Sequence, residues 1–201
     1  MTSPKILRLD ELERLGEQLR KEGRSIVLAN GMFDLIHVGH IRYLEGAKRE
    51  GDRLIVAIND DASVTVLKGR GRPVQALEDR MEIMAALSCV DYVVPFSSPN
   101  VEDVLRRLKP HAHAKGTDYT VDTVPEREVD RAIGARVAIV GDPKVHSTSR
   151  LLRTLDGGSV GAEAVRQFLV RRRVAVGNVF LLLVALTASP KAIHLAAAGV
   201  L

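Results

Sequence analysis

The chain holds one cysteine, Cys89, and no tryptophan among its 201 residues. A single thiol excludes a disulfide framework and a zinc site built on cysteines, and it suits a reducing compartment. Aromatic residues make up only 3%, too few for a surface that stacks nucleic-acid bases on rings. The formal net charge is +4, yet residues 1–156 carry 24 Lys and Arg against 24 Asp and Glu. The whole positive excess lies in residues 157–201. The main body therefore lacks a phosphate-tracking basic surface, and no nucleic-acid partner is expected. A secretory leader is not expected either, because Lys5, Arg8, Asp10, Glu11 and Glu13 break any apolar run near the start. The expected location is cytoplasmic.

What is present is enough for a core and a solvated surface: 46% hydrophobic and 27% charged residues. Leu9, Leu12, Leu15 and Leu19 recur at helical spacing, so 9–22 reads as an amphipathic helix ending near Gly23. Short apolar runs follow at 25–29, 53–59, 92–94, 113–115 and 135–140, each expected as a buried strand. Helical patterns fall between them at 39–48, 77–89, 100–109 and 125–134, and Ser147 is expected to open another helix. Residues 60–74, with Gly69, Gly71, Pro73, Lys68, Arg70 and Arg72, read as a basic loop. Such alternation implies an α/β fold, a doubly wound parallel sheet over 24–156, with ligands at the carboxyl ends of the strands. Residues 1–23 then form a leading helix and 157–201 an apolar C-terminal extension.

That extension contains 17 consecutive uncharged residues, 174–190, preceded by Arg171-Arg172-Arg173. As a helix the run would reach about 25 Å, short of a ~30 Å hydrocarbon core. Gly177, Asn178 and Pro190 weaken it further. Membrane contact through 171–190 is thus not favoured over packing on the domain or on a second subunit.

The informative stretch is Asn30-Gly31-Met32-Phe33-Asp34-Leu35-Ile36-His37-Val38-Gly39-His40, directly after the first strand. His37 and His40, three residues apart at a helix start, point their imidazoles to one side. The free N–H groups and dipole of that helix start favour an anion, and Gly39 lets it approach the backbone. Two imidazoles there suit a phosphate that gains charge as it is attacked. Spacing alone leaves half a metal site or a surface pair open as well. Asn59, at the end of the second strand, orients a ligand or simply ends the strand. Cys89, between Leu87 and Val90, reads as core. His111 and His113 flank a strand without an evident third metal ligand, and no protein metal site is expected.

The order strand, turn, H-x-G-H, helix resembles the nucleotidylyltransferase superfamily over roughly residues 24–153. Four more segments resemble bacterial heptose 1-phosphate adenylyltransferases. They are the basic loop 66–73, the helix-borne Asp79-Arg80-Met81, the Lys115-Gly116-Thr117-Asp118-Tyr119 segment, and the turn Ser147-Thr148-Ser149. Two departures stand out: Thr117 replaces a glycine of the family segment, and Val145-His146 precedes the serine turn. The resemblance implies a Rossmann-like nucleotidyltransferase fold and transfer of AMP from ATP to a sugar 1-phosphate. It implies His37, His40 and Lys68 as catalytic residues. Nucleotide contacts fall to Gly31, Met32, Phe33, Gly39, Lys115, Asp118, Ser147, Thr148 and Ser149. Acceptor contacts fall to Asp34, Asn59, Arg72 and Arg80, with Mg²⁺ carried mainly by the triphosphate and a homodimer expected. Two other functions compete: a cytidylyltransferase acting on glycerol phosphate or a similar polyol phosphate, and a non-catalytic nucleotide-binding module.

Overall fold

A computed structural model describes residues 3–142. Ser147, Thr148, Ser149, the helix expected at Ser147 and the apolar extension lie outside the described residues. Five strands form one parallel sheet: β1 (Ile26–Gly31), β2 (Arg53–Asn59), β3 (Tyr92–Phe96), β4 (Ala112–Gly116) and β5 (Arg136–Val140). Their order is β3-β2-β1-β4-β5. The strands are short apolar runs, as burial on both faces requires. In β1, Ile26 and Leu28 join one buried cluster while Val27 and Ala29 join the other.

The helices cover the two faces. On one side, α2 (Val38–Lys48) and α4 (Leu77–Ala86) bring Leu44, Ala47, Met84 and Ala85 against Val56 and Val93. On the other, α1 (Leu12–Lys21) and α5 (Glu102–Leu108) bring Leu12, Leu19, Leu105 and Leu108 against Leu28 and Ile55, and α6 (Arg127–Ile133) adds Val129. The leading helix is therefore part of this core. Gly16 allows it to approach α5, because a Cβ there would lie 2.8 Å from the Leu108 carbonyl oxygen.

Several boundaries differ from the sequence expectation. The largest concerns residues 60–74, which are not one loop: α3 spans Asp61–Lys68. The Asp60 carboxylate accepts from the Ser63 backbone N–H at 2.8 Å and its hydroxyl at 2.6 Å, capping the helix start. All three glycine and proline breakers, Gly69, Gly71 and Pro73, fall after Lys68. Helix α4 stops at Ala86, where Leu87 turns extended (ψ 133°). Helix α5 begins at Glu102, two residues later than expected. Strand β3 continues through Pro95 to Phe96; it is the last strand of its sheet, so a missing N–H is tolerated there. Leu7 and Lys5 hydrogen-bond to Val93 on its outer edge.

Strand order reverses between β1 and β4, so the crevice beyond their carboxyl ends is the place where doubly wound sheets bind ligands.

Candidate active site at the switch point

Strand β1 delivers its carboxyl end, Asn30-Gly31, into that crevice, and residues 32–37 lead into α2. His37 is the residue before α2, in extended conformation, and its carbonyl accepts from the His40 N–H at 2.9 Å. Val38 and Gly39 open the helix, where backbone N–H groups have no acceptor within the helix itself. The two imidazoles stack with centroids 3.8 Å apart and planes at 19°. The shared orientation expected from their spacing is present. Phe33 fixes the pair from below: buried, with φ at 45°, it meets His40 edge-on at 5.3 Å and lies parallel to Tyr43 at 6.5 Å. Gly31 leaves room for this ring, since a Cβ there would come 3.1 Å from it, tighter than ordinary contact.

The loop after α3 is held down at Asp34. This buried carboxylate accepts from the Arg72 guanidinium (Nε, 2.6 Å) and from the backbone N–H groups of Val74 (2.7 Å) and Gln75 (3.1 Å). Asp34 and Arg72, both expected to meet the acceptor, thus meet each other. Lys68 sits at the last turn of α3, exposed, rather than within the loop. We expect Asp34→Asn to free residues 69–76. Limited proteolysis should cut there faster than in the wild type, and ATP-Mg should protect the wild-type loop. Equal cutting rates would show that Asp34 does not hold it.

Arg80 is wholly buried (0% exposed). Its guanidinium donates to the carbonyls of Met32 (2.6 Å), Asn59 (2.8 Å) and Gln75 (3.1 Å) and to the Asp61 carboxylate (2.6 Å). One side chain on α4 therefore ties together the ends of β1 and β2, the start of α3 and the loop. In this geometry its donors serve the scaffold. Asn59, also buried, donates from its amide to the Ser98 carbonyl at 3.3 Å.

Across the crevice, β4 ends in Lys115 and Gly116. The Lys115 ammonium is 6% exposed and donates to Asn30 Oδ1 at 3.1 Å, with Glu126 Oε2 at 3.0 Å and the Tyr119 ring centroid at 5.4 Å. Asp118 is exposed, and its carboxylate leans over Gly116, where a Cβ would meet it at 2.8 Å. Thr117, the residue that departs from the family segment, donates its hydroxyl to the Asp142 carbonyl at 2.7 Å. Tyr43, from α2, donates to the Ala114 carbonyl at 2.8 Å, and burial pushes its phenol pKa well up.

Burial pushes the Glu126 carboxyl up, but the Lys115 ammonium, its hydrogen bond and His113 outweigh that and hold it below its ordinary 4.5. A depressed carboxylate stabilises the fold above its unfolded pKa and loses that contribution as pH falls through the folded value. The stability gap between wild type and Glu126→Gln should therefore shrink on acidification below pH 4.5. Melting temperatures across that range check it; a constant gap would refute the coupling.

His111 accepts the Ile26 N–H at its Nδ1 (2.9 Å), and His113 faces Asp130, so both have protein partners. Among the described residues no group of three or more His, Cys, Asp or Glu is arranged to hold a metal ion, and no helix is long and apolar enough to cross a membrane. Sequence reasoning missed Asn30, Asp130 and Glu126. One signal existed: Glu126 and Asp130, four apart, share a helix face turned toward β4.

The cytidylyltransferase-like family profile matches residues 28–173. Among curated proteins, the bifunctional protein HldE of Ectopseudomonas mendocina is 43% identical over 150 residues, 75% of this chain and 32% of that protein. HldE of Pseudomonas entomophila is 41% identical with the same coverage. The chain spans about a third of the length of these relatives. Two solved structures share the fold. A lipopolysaccharide core biosynthesis protein from Thermoplasma volcanium has a TM-score of 0.51 at 24% identity, covering 61% of this chain and all of that one. Pantoate-beta-alanine ligase from Francisella tularensis has a TM-score of 0.54 at 21% identity, covering 72% of this chain and 68% of that one.

Proposed function

The chain belongs to the cytidylyltransferase-like family, and on that premise we propose that it transfers AMP from ATP to a heptose 1-phosphate. The acceptor phosphate oxygen attacks the α-phosphorus, the bond from that phosphorus to the bridging oxygen breaks, and pyrophosphate leaves with the bonding pair. No covalent nucleophile is needed, so the protein's work is alignment and charge stabilisation. The observation that carries the reading is the stacked His37–His40 pair at the start of α2, at the crevice where strand order reverses. Similarity to the HldE proteins supports the choice of acceptor.

In this reading His37 and His40 hold the α- and β-phosphates, with Gly31, Met32, Phe33 and Gly39 shaping the adjoining backbone. Lys68 reaches in from the end of α3, Lys115 and Asp118 contact nucleotide from β4, and Ser147, Thr148 and Ser149 take the terminal phosphates. Asn59, Asp34 and Arg72 face the acceptor side, with Arg80 behind them. Magnesium would be held mainly through the triphosphate with water completing its shell, since among the described residues no three or more His, Cys, Asp or Glu are grouped to hold it.

The test is pyrophosphate release with each nucleoside triphosphate against a panel of sugar 1-phosphates and polyol phosphates. ATP with a heptose 1-phosphate should be the fastest pair. CTP turning over about tenfold faster with every acceptor, ~1.4 kcal/mol of barrier, would replace this reading by cytidylyl transfer.

A further inference from the structure

Beneath the switch point lies a buried polar cluster of which the proposed chemistry uses only Lys115. His113, on β4, is fully buried, and its Nδ1 lies 3.0 Å from both carboxylate oxygens of Asp130. Its Nε2 lies 3.2 Å from Asn30 Oδ1. The same oxygen receives Lys115 Nζ at 3.1 Å, and Lys115 pairs with Glu126. Three elements converge here: Asn30 from β1, His113 and Lys115 from β4, Asp130 and Glu126 from α6 and its leading residue.

The protonation state follows from the partners. An ammonium can only donate, so Lys115 fixes the oxygen of the Asn30 amide, not its nitrogen, toward the cluster. With that oxygen accepting, His113 Nε2 must carry a proton. Nδ1 faces a carboxylate and must carry one too. The ring is then an imidazolium, and two buried cations stand against two buried carboxylates. Lys115 donates one N–H to Asn30 and forms an ion pair with Glu126 at 3.0 Å, and an ammonium has three donors, which leaves it able to meet a ligand oxygen at the strand end.

We infer that His113 is held as an imidazolium between Asp130 and Asn30, and that through Asn30 it positions Lys115 for the phosphates of the bound nucleotide. The inference rests on the adenylyltransferase reading for what Lys115 touches. His113 and Asp130 are positioning residues: they aim the Asn30 oxygen, and that oxygen aims the ammonium. Asn30 also precedes the segment that carries His37 and His40.

Removing one member would strand a buried charge and destabilise the fold whatever its role. The test therefore removes both. The double variant His113→Leu, Asp130→Leu replaces the pair by apolar side chains. It should fold, with ATP-Mg affinity by calorimetry and KM for ATP both weakened about tenfold, and with kcat changed much less. Wild-type affinity and KM in the folded double variant would overturn the positioning role. The charge state is read on the wild-type protein, where folding of a variant is not at issue. At neutral pH the ¹⁵N shifts of both His113 nitrogens should lie in the protonated range, and one unprotonated nitrogen would overturn the imidazolium. Absence of transfer by the wild type with every acceptor would refute the adenylyltransferase reading. The nitrogen shifts and ATP-Mg affinity would then still decide this inference.

Discussion

His40→Ala should fold, and should turn over ~10²–10³ times more slowly than the wild type, the usual cost of losing one donor aimed at developing phosphate charge. The structure separates this effect from stability. His40 lies in the first turn of α2, where alanine is a good helix former. The packing lost includes the edge contact with Phe33 at 5.3 Å and the stack on His37. Each such ring pair is worth roughly 0.5–1.5 kcal/mol. Because the contact strengthens as charge builds, kcat should fall more than KM rises. Single-turnover rates alongside a melting curve make the comparison. An unchanged rate in the folded variant would remove the histidine pair from the reaction.

The second large effect is expected on stability. Arg80→Met keeps the bulk of the side chain but takes charged donors away from the carbonyls of Met32, Asn59 and Gln75. Asp61 is half-exposed and can rehydrate; the carbonyls at the ends of β1 and β2 have less access to water. Hydrogen bonds to a charged group are not additive; removing one partner from a buried charged network costs roughly 3–5 kcal/mol, and a loss of that size is expected. At about 2–4 °C per kcal/mol for a chain of this size, melting should drop by roughly 6–20 °C. Arg80→Lys, with one donor position in place of a fork, should recover only part of it. Melting of Arg80→Met within about 2 °C of wild type would show that the strut is dispensable.

These residues also mark how far the sequence could be read. The alternation of buried runs and helical patterns located all five strands, because burial on both sheet faces writes itself as a continuous apolar run. The H-x-G-H element was legible because it is local: strand end, turn and helix start are contiguous. Helix α3 was hidden by composition, although Asp60 and Ser63 carried its cap signal. Arg80, Asp34 and Arg72 were each expected to face a ligand. Their mutual and backbone partners lie about 20 to 50 positions away, and no local pattern announces such pairings. His113 looked like an isolated histidine beside a strand; only folding brings Asp130 and Asn30 to it.

The register of the sheet has a consequence for how the crevice comes into being. Strand β1 pairs with β2 over six residues, Ile26 to Gly31, but with β4 over only three, Val27 to Ala29. The β1–β4 partners are also remote in sequence: the bond from Ile26 to His111 closes a gap of 85 positions. Closing a long loop for few ladder bonds is the slow kind of step. The seam between β1 and β4 should therefore zip late in folding and open first in local unfolding. A nucleotide lying across its carboxyl end would act as a clasp. Amide hydrogens along Ala112–Gly116 should exchange faster than those of β2 in the free protein, and slow more than any other strand when ATP-Mg binds.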